Sequence, residues 1–273
     1  MITKRPFRIR TITVFITLTP DDFNGVVEST AGLMEETSDI YSKIHECSNI
    51  LRKLKKNLID SGYEVQTVRI STNPFGEWLT RDSERFNTEK NHSQICATMD
   101  ILRKLHLLNS LLDDYGINFF SCGPSTNPIH TIEICPQIIA TSAKFSCSAA
   151  VDFGDSDAAR AAAVCIQKIS TLGNNASLHG GLGNFRFCAA SCIDTVPFFP
   201  GAKSPMNAKK SIAIGLENGG YARQLLLGAK NISNIQGIFH SDMRNELLPI
   251  QEICLSFARD SEYPVEYLGI DTR

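Results

Sequence analysis

Arg10-Thr11-Ile12-Thr13-Val14-Phe15-Ile16-Thr17-Leu18 is the stretch on which the fold class turns. Ile12, Val14, Ile16 and Leu18 alternate with Thr11, Thr13, Phe15 and Thr17, so two different side-chain sets face opposite sides of one β-strand. Thr19-Pro20-Asp21-Asp22 stops it. Downstream, Ile40, Ile44, Cys47, Leu51, Leu54 and Leu58 recur at spacings of three and four, the stripe of an amphipathic helix. Gly62 is positioned to end that helix and Val65–Ile70 reads as the next strand, which completes a β–α–β unit.

The same alternation continues to the end of the chain. The reading predicts a helix from about Ile95 to Tyr115, a strand at Ile117–Ser121 and another at Phe145–Val151. Asp157 is expected to cap an alanine-rich helix running to Leu172, since a carboxylate there accepts from the free amides of the first turn. Strands at Phe185–Ala190 and Ser211–Glu217, a helix over Arg244–Arg259 and a strand at Val265–Ile270 follow. Alternating strands and helices imply parallel pairing with right-handed crossovers, so the chain reads as one α/β domain over residues 1–273 made of repeated strand–helix units. Thr72–Ser93 reads either as an extended loop or lid, or as a packed connection held by Phe75 and Trp78.

Composition bounds the function classes. With 273 residues, 42% hydrophobic and 21% charged, the chain can bury a large core. A formal charge of −2 and a pI near 6.3 give no bulk attraction to nucleic acid or to anionic membranes. The cluster Arg52, Lys53, Lys55 and Lys56 lies on the polar side of the first helix and reads as a solvated face. Nine cysteines without a C-x-x-C pair read as reduced thiols of a cytoplasmic protein. The threonine-interrupted N-terminal segment is a strand, not a signal peptide, and no run is long enough to span a bilayer.

Parallel α/β folds place their sites at the C-terminal ends of strands. That rule selects Arg69, Thr72 and Asn73 after the second strand, Cys122 after the third, Asp152 after the fourth, Cys192 and Asp194 after the fifth, Glu217 after the sixth and Asp271 after the last. Asp152, Glu217 and Asp271 supply carboxylates for acid/base work or for a divalent cation, and Arg69 an anion contact. The segment His179-Gly180-Gly181-Leu182-Gly183-Asn184 runs from helix into strand, the reverse of a phosphate loop, and reads mainly as a tight turn. Arg186 sits in the apolar strand that follows, where a guanidinium requires either a buried carboxylate or a ligand. Asn184 and Arg186 therefore join Arg69, Thr72 and Asn73 as the substrate-binding set. The histidines lack metal-site spacing and there is no G-x-S-x-G elbow.

Five blocks carry a family resemblance: Arg8-Ile9-Arg10-Thr11-Ile12-Thr13, Val68-Arg69-Ile70-Ser71-Thr72-Asn73-Pro74-Phe75, Gly183-Asn184-Phe185-Arg186-Phe187, Pro197-Phe198-Phe199-Pro200 and Gly269-Ile270-Asp271. In order and spread they resemble the uncharacterised family catalogued as domain of unknown function 711. The resemblance implies a pyruvate formate-lyase-like α/β barrel of roughly ten strands, with no established activity. It further implies a chain continuing beyond Asp271, so that residues 1–273 correspond to a fold lacking its C-terminal part. It also implies a histidine after Pro-Phe-Phe-Pro, where this sequence has Gly201-Ala202-Lys203. Glycyl-radical chemistry does not carry over: adjacent cysteines are absent and Gly219-Gly220-Tyr221 lacks the expected arginine context.

The functional expectation is a cytoplasmic enzyme acting on a small anionic metabolite, with cofactor unknown and a divalent cation as one use of the carboxylates. The alternative is a non-catalytic ligand-binding or regulatory protein, or a truncated inactive family member. The expected partner is a small molecule, with no nucleic acid and no membrane. The exposed strand edges of an incomplete barrel favour a homo-oligomer.

Overall fold

The computed structural model describes residues 5, 8–24, 39–80, 91–173, 178–191, 200–205, 210–228 and 235–271. Seven strands, β1 (Arg8–Phe15), β2 (Val65–Ser71), β3 (Phe119–Ser125), β4 (Phe145–Ala150), β5 (Phe187–Ala190), β6 (Ser211–Glu217) and β7 (Glu266–Asp271), form one sheet in the order β5-β4-β3-β2-β1-β6-β7. Helices α1 (Asp39–Asp60), α2 (Asn91–Asp114), α3 (Pro128–Glu133), α4 (Cys135–Thr141), α5 (Ser156–Ser170), α6 (Gly219–Gly228), α7 (Ile235–Ile238) and α8 (Arg244–Asp260) connect them. The α/β reading is right.

Contacts group the residues into two compact units, one of residues 1–14, 49–69 and 209–273 and the other of residues 15–48 and 70–208. In the first unit, the Ile9 N–H donates to the Glu64 carbonyl, the parallel pattern that sets Ile9 beside Val65 and Thr13 beside Arg69. β6 and β7 are also parallel, with Gly215 opposite Asp271. Their direction departs from expectation. Glu217, the last residue of β6, accepts a 2.8 Å hydrogen bond from Gln66, the second residue of β2. Tyr63, just before β2, feels the charge of Glu246 at the start of α8. The C-terminal end of β6 therefore lies beside the N-terminal end of β2, and the β6–β7 pair runs opposite to β1 and β2. Strand–helix alternation fixes the direction of successive strands only when they are neighbours, and β6 pairs with β1 rather than β5.

In the second unit β3, β4 and β5 are parallel, and the N–H of Thr72 continues the ladder from the end of β2 to the Ser121 carbonyl at 3.0 Å. One face carries Phe120, Phe145 and Cys147, all fully buried, with the two phenyl rings edge-on at 5.9 Å. Cys147 packs toward α4, its thiol 4.0 Å from the Cys135 carbonyl.

Helix α1 forms because its apolar stripe is buried in full: Ile40, Ile44, Cys47, Leu51, Leu54 and Leu58 are each at most 2% exposed. Each such side chain contributes about 1.5–3 kcal/mol by leaving water. Gly62 then ends the helix at a φ of 90°, a left-handed conformation in which a Cβ is strained. Thr72–Thr80 is the packed alternative of the two readings, with Phe75 and Trp78 at 0% exposure, while residues 81–90 lie outside the described set.

Asp155, not Asp157, caps α5: its Oδ1 accepts from the Ala158 N–H at 2.9 Å, and Asp157 falls in the first turn. The helix starts two residues earlier than a cap at Asp157 requires. Asp155→Ala should lower unfolding stability by about 1 kcal/mol in denaturant titrations, and Asp157→Ala by about 0.5 kcal/mol or less. Equal losses would put the cap elsewhere.

Candidate functional site

Ser71-Thr72-Asn73-Pro74-Phe75 leaves the C-terminal end of β2 in the second unit, and every residue of it is buried. Asn73 works as a clamp. Its Oδ1 accepts from the Leu18 N–H at 2.8 Å and its Nδ2 donates to the Leu18 carbonyl at 3.1 Å and to Glu77 Oε2 at 2.7 Å. The side-chain amide thus stands in for one more rung of sheet where β1 and β2 have ended. Thr72 Oγ1 donates toward the carbonyls of Asn73 and Ser121. Gly123, at φ 76°, makes the turn fit, since a Cβ there would stand 2.3 Å from the Asn73 carbonyl oxygen.

Around this turn an aromatic and polar shell closes the second unit. Phe23 stacks on Trp78 at 5.8 Å, and Trp78 meets Phe120 edge-on at 6.3 Å. Asp22, 3% exposed, accepts from the Thr19 N–H and pairs with Lys43 at 2.7 Å. His130 belongs to α3, where burial holds its imidazole below its ordinary pKa and its ring lies 6.4 Å from that of Phe75.

Arg186 ends a 3-10 segment, His179–Arg186, and β5 begins at Phe187, so it is not inside a strand. Its guanidinium Nη1 donates to the carbonyls of Ser142 at 2.5 Å and Phe145 at 3.1 Å, tying the start of β4 to the turn before β5. Neither a carboxylate nor a ligand is needed to explain those contacts. Asn184 Nδ2 donates to the Ile166 carbonyl of α5 at 3.2 Å. Gly180 and Gly181 take φ of 63° and 81°, and a Cβ on Gly183 would lie 2.8 Å from Ile169 Cγ2, so these glycines serve a tight packed turn.

Asp152 is exposed in the β4–α5 loop, where its carbonyl accepts from the Asp155 N–H. In the first unit Glu217 and Asp271 share an end of the β6–β7 pair, and the Gln66 bond sets Glu217 at the start of β2. Within the first unit, reversal of β6 and β7 therefore puts Glu217 and Asp271 toward the start of β2. Among the described residues, no group of three or more His, Cys, Asp or Glu side chains is arranged to hold a metal ion.

Arg69 is the buried charge of the first unit. It is 5% exposed, on the fifth residue of β2, opposite Thr13. Burial, and repulsion from Arg10, push its guanidinium down to about 9. Thr11 and Thr13, on the same face of β1, are at most 1% exposed. In the second unit the corresponding alternation presents hydroxyls: Ser71, Ser121, Ser146 and Ser148 are all fully buried. None of these serines was singled out from sequence, although Phe145-Ser146-Cys147-Ser148 displays the alternation.

The basic cluster behaves as a solvated face. Lys53 pairs with Glu262 and Lys56 with Asp60 along an open cleft of about 640 Å³ between α1 and α8. No helix is long and apolar enough to cross a membrane among the described residues.

A family model described as Uncharacterised ACR (DUF711) matches residues 1–273. The chain belongs to that family. No curated protein matches it.

The clamp makes a direct prediction. Asn73→Ala leaves the buried N–H and carbonyl of Leu18 without their side-chain partner and should lower stability by about 2–4 kcal/mol in denaturant unfolding. A loss below about 0.5 kcal/mol would mean that the clamp is not structural.

Proposed function

We propose that this DUF711 protein binds a small anionic molecule at Arg69, on a sheet face whose neighbouring side chains are hydroxyls. The observation that carries the reading is the 5% exposure of a guanidinium in mid-strand, with threonines on the adjoining strand and the like charge of Arg10 acting on it. A guanidinium presents five N–H donors in a planar fork, a geometry that receives an oxyanion bidentately. Hydroxyls beside it supply further donors without adding charge.

Of the two functional classes, binding is favoured over catalysis at this position. Gln66 holds Glu217 at the start of β2, three residues or about 10 Å along the strand from Arg69. A general acid or base has to reach the reacting atoms within hydrogen-bond distance. Glu217 and Asp271 accordingly keep only a proposed role as acid/base groups or cation ligands at their own end of the β6–β7 pair. Thr72, Asn73, Asn184 and Arg186 are engaged in the contacts described above, so a substrate-binding role for them rests on the remaining capacity of those groups.

The finer fold reading belongs to the same proposal. A pyruvate formate-lyase-like barrel is supported by the family resemblance and by a sheet in which the parallel β6–β7 pair runs opposite to the neighbouring β1. A cytoplasmic setting is supported by the seven free thiols among the described residues, six of them buried.

Sulfate and phosphate should raise the melting temperature of the chain by mass action, and Arg69→Met should abolish the rise while Lys53→Ala leaves it intact. The pH dependence has a defined sign. The folded guanidinium gives up its proton near 9, well below the unfolded one, so anion stabilisation weakens as pH rises through about 9 while intrinsic stability increases from there upward. An anion effect that survives Arg69→Met would overturn the proposal.

A further inference from the structure

β2, β3 and β4 present a row of serines on one face of the second unit. Ser121 and Ser146 are opposite each other in the β3–β4 register. The Thr72 N–H to Ser121 carbonyl bond sets Ser71 beside Ser121 on β2, because a parallel strand donates to the residue preceding its partner. Ser148 lies two residues beyond Ser146, opposite Cys188 of β5. The alternate residues Phe120, Phe145 and Cys147 take the apolar face, so the serines point the other way.

All four hydroxyls are at 0% exposure, yet they are not equally satisfied. Ser121 Oγ donates to the Ala202 carbonyl at 2.7 Å, and Ser146 Oγ reaches the Phe120 carbonyl at 3.5 Å. Ser71 Oγ and Ser148 Oγ have no hydrogen-bond partner among the described residues. A buried hydroxyl left so costs about 1–3 kcal/mol, and a fold that keeps two on one face has a reason to keep them. A strap of residues 200–205 lies over this face: besides the bond to Ala202, the Ser204 N–H donates to the Thr72 carbonyl at 2.9 Å, and Ala202 and Ser204 are at most 1% exposed.

We infer that the serine row of β2, β3 and β4 is a binding site for a small, uncharged, polyhydroxylated ligand. The chemistry of the row selects that class. Each serine both donates and accepts, as each ligand hydroxyl does, and adjacent strands set the hydroxyls about 4.8 Å apart, a spacing that a cyclic polyol spans with alternate groups. No side chain in the row carries a charge, and burial pushes the neighbouring Cys188 thiol up to about 11, so it too is neutral in the physiological range. The site is separate in its evidence from the anion reading of Arg69 and does not depend on it.

The test is thermal unfolding of the full chain with myo-inositol and xylitol as probes and potassium phosphate as the charged comparison. A neutral polyol should raise the melting temperature by about 5 °C near saturation. Ser71→Ala and Ser148→Ala, which remove hydroxyls without protein partners, should fold with unchanged or higher melting temperatures and lose the polyol effect. Two results overturn the inference. One is the absence of any polyol shift. The other is a marked destabilisation of both variants without ligand, the signature of hydroxyls already satisfied by ordered water. Potassium phosphate, run in parallel on the unmodified chain, reads the anion site by itself, so that failure here is distinguishable from failure of the anion site.

Discussion

The cost of holding a guanidinium and a set of hydroxyls away from water on a β-sheet is the constraint around which this structure is organised. Burial of polar groups is tolerated when each finds a partner, and most here do. Asn73 supplies both partners for Leu18, Arg186 caps two carbonyls, and Ser121 holds Ala202. Ser71 and Ser148 are among the buried groups with a polar atom lacking a hydrogen-bond partner among the described residues, with Gln137, Asn184, Arg186 and Ser211, and Arg69 has a like charge beside it. The proposed binding roles rest on Ser71, Ser148 and Arg69.

In the second unit the apolar half of β3 and β4 meets helices α3, α4 and α5. Phe120, Phe145 and Cys147 face the same side, and the stripes of α1 and α5 are covered in full. A sheet covered in this way on one face has its chemistry confined to the other. Hydroxyls take that face in the second unit, and the buried threonines of β1 show the same choice of residue type within the first unit.

Strand–helix alternation, the burial stripe of α1 and the family blocks were legible in the sequence because they rest on local periodicity. Strand direction at β6 was not, since pairing with β1 instead of β5 is a long-range choice that no local pattern encodes. Glu217 and Asp271 were consequently collected with residues from the other end of β2. Arg69 was legible as a charge in an apolar strand. Arg186 had the same signature; its Nη1 is taken by two backbone carbonyls while its Nη2 is buried without a hydrogen-bond partner among the described residues, and residue type alone does not separate these uses. The serines escaped notice because serine is ordinary on any surface and becomes informative only once its burial is known.

The central claim, that buried Arg69 is an anion contact, is tested most directly by diffraction from crystals soaked in selenate. The account predicts an anomalous peak within hydrogen-bond reach, about 3 Å, of the Arg69 guanidinium. Peaks confined to surface cations such as Lys53 and Lys56, with Arg69 closed against a carboxylate of its own chain, would contradict it.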